Sequence, residues 1–114
     1  MPKYKLFLNV ILEMIKKIEN SIKKQDKQEF MKSNELQDAT LMRLQVMGES
    51  IKKIPFKLKK DNKQIKWKKF EKLRNLISHK YNSVDYEIIW NFINKNLIEL
   101  KKEIKKISKD IKND

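Results

Sequence analysis

The chain has no cysteine, one histidine, one glycine and two prolines among its 114 residues. Without cysteine there is no disulfide framework and no thiolate-held metal, and a single histidine cannot build a zinc site alone. No glycine-rich phosphate loop, HExxH motif, internal repeat or alternating strand pattern can be found in it. No apolar run approaches the roughly 18 residues that a membrane span requires. The stretch from Leu6 to Ile15 is broken by Asn9 and Glu13, and no small-residue cleavage site follows. The expected location is therefore the cytoplasm, with no membrane partner.

Lysine is what the chain has in quantity. Lys and Arg together number 28 against 15 Asp and Glu, for a net charge of +13. Only Arg43 and Arg74 are arginines, which leaves 26 lysines. Such a balance suits a polyanion, because clustered cations release its counterions. It also suits drift in an AT-rich genome, since isoleucine and asparagine are abundant beside lysine. The distribution of the charge has to decide. With 39% hydrophobic and 38% charged residues, and apolar positions recurring throughout, the chain should fold as one helical domain over 1–114.

The spacing predicts a first amphipathic helix from Tyr4 to about Lys24, burying Phe7, Ile11, Met14, Ile18 and Ile22. Phe30 and Met31 could anchor a one-turn helix, and Asn34 offers the next N-cap. A second long helix should run from Glu35 to Ile54, with Ala39, Leu41, Leu44, Met47, Ile51 and Ile54 inward and Pro55 as its stop. Gly48 lies inside it, where glycine costs about 1 kcal/mol relative to alanine; close approach of another helix is the expected reason. A lysine-rich connection follows, with Leu58, Ile65 and Trp67 as anchors. A third helix from Trp67 to about His79 buries Phe70, Leu73, Leu76 and Ile77. Tyr81 to Ser83 reads as a turn, with Ser83 or Asp85 as the next N-cap. From Tyr86 the seam Tyr86, Trp90, Ile93, Leu97, Leu100, Ile104, Ile107 and Ile111 advances in steps of four and three. It could be one helix or two bending near Asn96, packed into the bundle or across a dimer. The expected fold is all-α, an up-and-down bundle of four to five helices.

Arg74-Asn75-Leu76-Ile77-Ser78-His79-Lys80-Tyr81 concentrates the unusual residues. In a chain that uses lysine for ordinary cationic duty, Arg74 suggests planar, bidentate recognition of an oxyanion. His79 adds a group able to carry a proton near neutral pH. On a helix Arg74 and Ser78 share a face, while His79 lies about 140° round from Arg74. RNA cleavage needs a base, an acid and a cation for the charge that builds on phosphate. One histidine fills one of those proton roles, so a symmetric dimer bringing two copies together would supply the other. The plainer alternatives are that His79 caps a helix or sits at the surface, that Arg74 pairs with Glu71 or Asp85, and that Tyr81 packs.

The same stretch resembles the R-x4-H-x-Y signature of the HEPN superfamily, in particular the HepT-like toxin family. Ile65-Lys66-Trp67 resembles that family's I-P-W segment, with lysine in place of proline. Arg43 to Glu49 resembles its R-L-x-x-x-G-E helix, and Val84 to Trp90 its VDxxxxW segment. Asn96-Leu97-Ile98 departs from relatives that carry proline after the leucine, which bears on the bend of the last helix. The resemblance implies a HEPN-type bundle that dimerises, and a metal-independent endoribonuclease toxin without cofactors. Arg74 would stabilise the transition state, His79 would serve as general base or acid, and Asn75 would orient the phosphate, with Ser78 in support. Tyr81 would be the residue on which a minimal nucleotidyltransferase antitoxin places AMP, silencing the enzyme by bulk and negative charge. The alternative on the same fold is a non-catalytic module gripping a nucleotidyltransferase or RNA. Lys57, Lys59, Lys60, Lys63, Lys66, Lys68 and Lys69 are then expected to guide RNA to the cleft, against the plainer view of a solvated loop.

Overall fold

A computed structural model of the chain describes residues 2–79 and 81–112, apart from the side chains of Tyr81 and Lys112. Among these residues the chain forms α1 (Tyr4–Ile22), α2 (Lys27–Lys32), α3 (Asn34–Lys52), α4 (Phe56–Asp61), α5 (Trp67–His79), a 3-10 turn (Tyr81–Ser83) and α6 (Tyr86–Lys112). The fold is all-α, an HEPN-type helical bundle of four long helices with two short ones between them. None of these helices is long and apolar enough to cross a membrane.

Helix α3 is the centre, with α1 packed along one side and α5 along the other; α6 lies against α1. On α1 the deepest line is Leu8, Ile11, Ile15 and Ile18, while Phe7, Met14 and Ile22 flank it half-buried. The inward stripe is thus turned from the expected one, because α3 and α6 cover α1 from two directions and widen its buried face.

The two short helices act as clamps. Asp26 and Glu29 form a reciprocal capping box at the start of α2, with the Glu29 N–H donating to Asp26 Oδ1 at 2.8 Å and the Asp26 N–H to Glu29 Oε1 at 2.9 Å. Phe30 is fully buried against Trp90 and Tyr86, with ring centroids 5.1 and 6.3 Å away. Met31 is largely exposed, so Phe30 alone is the anchor. The α3 cap is Ser33, one residue before the expected Asn34; its hydroxyl accepts from the Leu36 N–H at 3.1 Å. Extended backbone at Ser33 lets its short side chain reach that amide, while Asn34 is already helical. Gln37, Thr40 and Ser50 are buried polar residues of α3. Gln37 Nε2 donates to the carbonyls of Phe30 and Met31, both at 3.1 Å, satisfying the end of α2.

Pro55 caps α4, a helix none of whose residues is fully buried. It is tied down from α5: the Trp67 indole N–H donates to the carbonyls of Lys59 and Asn62, at 3.2 and 3.1 Å. On α5, Phe70, Leu73 and Ile77 are buried, and Phe70 meets Phe92 of α6 edge-on at 5.3 Å. Leu76, expected inside, is 37% exposed, because it falls about 200° round α5 from Arg74, which packs on α3. Asp85 is the cap of α6, its Oδ1 accepting from the Glu87 N–H at 3.0 Å. Helix α6 runs without a break through Asn96, and Ile89, Ile93, Leu97, Leu100, Ile104 and Ile107 are all buried by the chain itself. Of the expected seam, Ile93, Leu97, Leu100, Ile104 and Ile107 are core of the bundle, while Tyr86, Trp90 and Ile111 flank it half-buried.

Candidate functional site

The site starts from Gly48. A Cβ placed there would lie 2.5 Å from Cβ and 2.8 Å from Cγ of Arg74, closer than packed carbons allow. The expected close approach is real, and the group that approaches is the stem of Arg74. Glycine at this one position lets α3 and α5 come together with the arginine lying in the notch between them.

Two polar neighbours then aim the guanidinium. Arg74 Nη2 pairs with Glu49 Oε1 at 3.3 Å, and Nη1 donates to Asn75 Oδ1 at 3.2 Å. Neither alternative carboxylate takes it: Glu71 pairs with Lys59 Nζ at 3.0 Å, and Asp85 caps α6. The Arg74 side chain is 26% exposed, so a buried stem presents a reachable head. Among the described residues its Nε is buried without a hydrogen-bond partner. Gly48, Lys52, Glu71, Arg74 and Asn75 line a shallow pocket at this point. The second cation, Lys52, and the planar fork of Arg74 make it suitable for an oxyanion.

His79 is the last residue of α5 and is exposed, as is Ser78. Five residues from Arg74, it lies about 7.5 Å along the helix axis and about 140° round it. It does not line the arginine pocket. Within one chain, then, Arg74, Asn75, Glu49 and Lys52 are gathered, and His79 stands apart. Tyr81 begins the 3-10 turn just beyond, but its side chain, and Lys80 altogether, lie outside the described residues.

The lysine cluster divides. Lys59 is committed to Glu71, whereas Lys60, Lys63, Lys66 and Lys68 edge an open groove with Phe56, Ile65 and Trp67. Lys66 and Lys69 also border a hollow between α5 and α6. Lys57 is exposed and belongs to neither. Among the described residues no three His, Cys, Asp or Glu side chains are grouped as metal ligands would be.

Sequence reasoning missed the roles of Glu49 and Lys52. The signal for Glu49 was available: a glycine that admits a neighbouring helix, followed directly by a carboxylate, places that carboxylate at the same crossing.

The family described as "Ribonuclease HepT-like" matches residues 11–107 of the chain. A protein of Methanocaldococcus jannaschii named "Gamma-glutamylcyclotransferase and putative RNase" is 36% identical over 107 residues, covering 94% of this chain and 48% of the relative. The chain thus spans about half the length of that relative. A second protein of the same organism, named "Putative RNase", is 34% identical over 113 residues and is matched over 93% of its length, against 97% of this chain. "Probable ribonuclease HepT" of Thermococcus cleftensis is 27% identical over 106 residues, 93% of this chain and 96% of the relative. No solved structure matches the chain.

Proposed function

Since this chain belongs to the HepT-like ribonuclease family, we propose that it is a metal-independent endoribonuclease whose working site is assembled from two copies of α5. The observation that carries this reading is the seat of Arg74, locked into the Gly48 notch and aimed by Glu49 and Asn75. A chain that uses lysine nearly everywhere else keeps an arginine where its stem is clamped and its fork is presented.

In the proposed reaction a base removes the proton of a ribose 2′-hydroxyl. That oxygen attacks the adjacent phosphorus, the bond from phosphorus to the 5′-oxygen breaks, and an acid protonates the departing oxygen. The products are a 2′,3′-cyclic phosphate and a 5′-hydroxyl. Arg74, with Asn75 orienting it, stabilises the extra charge on the phosphate oxygens. His79 handles a proton.

The geometry of one chain supports the dimer. His79 lies well round α5 from the Arg74 pocket, and one histidine cannot hold two proton roles at once. A second copy docked at this end of α5 would bring its own His79 and Arg74. Leu76, one helical turn before His79 and 37% exposed, offers an apolar contact for that docking. We further propose that the chain is the toxin of a toxin-antitoxin pair, restrained by a minimal nucleotidyltransferase that transfers AMP to Tyr81 at the end of the same helix.

The test is cleavage of RNA by purified protein in the presence of EDTA. Fragments ending in cyclic phosphate are expected, with His79→Ala slower by about 10²- to 10⁴-fold and still dimeric. If His79→Ala cuts as fast as the native chain, the catalytic assignment is wrong.

A further inference from the structure

Phe56 is 78% exposed, the most exposed large apolar side chain among the described residues. A single exposed phenylalanine is ordinary. This one is held on a tethered platform within a cationic rim. Pro55 starts α4, Leu58 half-buries the helix on the bundle, and the Trp67 indole and the Lys59–Glu71 pair fasten it from α5. The groove beside the ring has an apolar floor of Ile65 and Trp67, with Lys60, Lys63 and Lys68 around it.

The groove also leads somewhere. Glu71 borders both it and the pocket of Arg74, so the two are adjacent along α5. From Trp67 to Arg74 is seven residues, about 10 Å of helix. A short length of extended strand spans that distance.

We propose that this groove is a base-binding subsite for unpaired RNA: Phe56 stacks a nucleobase, the surrounding lysines hold the phosphates beside it, and the strand continues past Glu71 to Arg74. The inference rests on the ribonuclease reading for its direction, but the subsite is a property of α4 and α5 alone. Charge argues for a nucleic acid, since the exposed rim is lysine and its one carboxylate, Glu71, is already paired with Lys59. The aromatic ring argues for a single strand, because a duplex hides its base faces and an unpaired base offers one to any flat ring. Base stacking of this kind tolerates sequence, so the subsite would select strandedness over sequence.

The experiment measures binding of a short fluorescein-labelled oligo-adenylate by anisotropy, to the full chain carrying His79→Ala so that the strand stays intact. Phe56→Ala should weaken binding by about 5- to 150-fold, the range for loss of one stacked base. Phe56→Trp should keep the affinity, and its added indole should be quenched on binding. The same oligonucleotide annealed into a duplex should bind the parent chain and the Phe56→Ala variant equally. An exposed side chain is a safe one to truncate, and matching thermal melts would exclude a folding defect. The proposal is overturned if Phe56→Ala binds the single strand within about twofold of its parent, or if duplex RNA or poly-glutamate shows the same loss. Failure of the ribonuclease reading looks different: the native chain would bind the strand through Phe56 and leave it uncut.

Discussion

Arg74 fills the space that Gly48 leaves empty: the place where any other residue at 48 would put its Cβ is 2.5 Å from Cβ of Arg74. Both atoms that Gly48 makes room for belong to the stiff base of the arginine side chain, so no rotation of its far end relieves the contact. Gly48→Ala should gain about 1 kcal/mol of helix propensity and lose about 1–3 kcal/mol to overpacking, for a net cost in urea melts of up to about 2 kcal/mol. The larger effect should fall on RNA cleavage, lowered about 10²-fold as the guanidinium shifts. A variant that melts slightly earlier yet cuts normally would show that the notch is structural only.

Glu49 holds Arg74 at one edge of its fork and competes with any phosphate for it. The pair is partly exposed, and such pairs contribute about 0–1 kcal/mol to stability. Glu49→Gln should therefore leave the melting temperature almost unchanged while tightening binding of intact RNA several-fold at low salt. Titration of labelled RNA into His79→Ala chains with and without the Gln substitution checks it; weaker binding would mean that Glu49 positions the arginine more than it masks it.

Arg74→Lys keeps the charge and removes the planar fork. A compact ammonium does not reproduce the planar two-pronged hold on Glu49 and Asn75, so the variant should fold, bind RNA within a few-fold of the native affinity, and lose about 10²- to 10³-fold in cleavage rate. Single-turnover cleavage measures it directly. Retention of full activity would argue that any cation suffices at 74.

Leu76 and Ile104 separate association from folding. Ile104 is fully buried by the chain itself, so Ile104→Ala should cost about 2–5 kcal/mol in denaturant melts. Leu76→Glu should leave those melts nearly unchanged while turning dimers into monomers on a sizing column and depressing cleavage with them. If Leu76→Glu stays dimeric, the two copies meet elsewhere.

Tyr81 opens the 3-10 turn two residues after His79, the last residue of α5. Co-expression with a minimal nucleotidyltransferase of the kind proposed above should add whole AMP units to the intact mass, abolished by Tyr81→Phe. Unchanged mass with the native chain would remove Tyr81 from the regulatory scheme.

Much of this is legible in residue order. The ends of α5, the stop at Pro55 and the reason for Gly48 follow from helix chemistry, and the HepT-like resemblance rests on four ordered segments. What escapes is what depends on neighbours. The inward line of α1 shifts to Leu8 and Ile15 because two helices cover it, a fact of tertiary packing that periodicity along one helix cannot register. Leu76 has the same apolar chemistry as Leu73, and only the position of α3 decides that one is buried and the other exposed. Residue order offers Arg74 partners nearby, at Glu71 or Asp85, whereas Glu49 comes from 25 residues earlier across the helix crossing. Phe56 reads as an ordinary apolar residue in the sequence, and only the packing of α4 shows that its ring is left outside.

The clamp of Phe30 between Tyr86 and Trp90 bears on the order in which the chain assembles. Helix α3 meets α1 and α5 across residues 23–33 and 53–66 respectively, whereas α2 reaches α6 across a span like that of Lys27 to Glu87, 60 residues apart. Closing so long a loop has the greater entropic cost, so the last helix is expected to dock after the arginine notch has formed. In pulse-labelled hydrogen exchange during refolding, amides of α3 and α5 should gain protection ahead of those in α6.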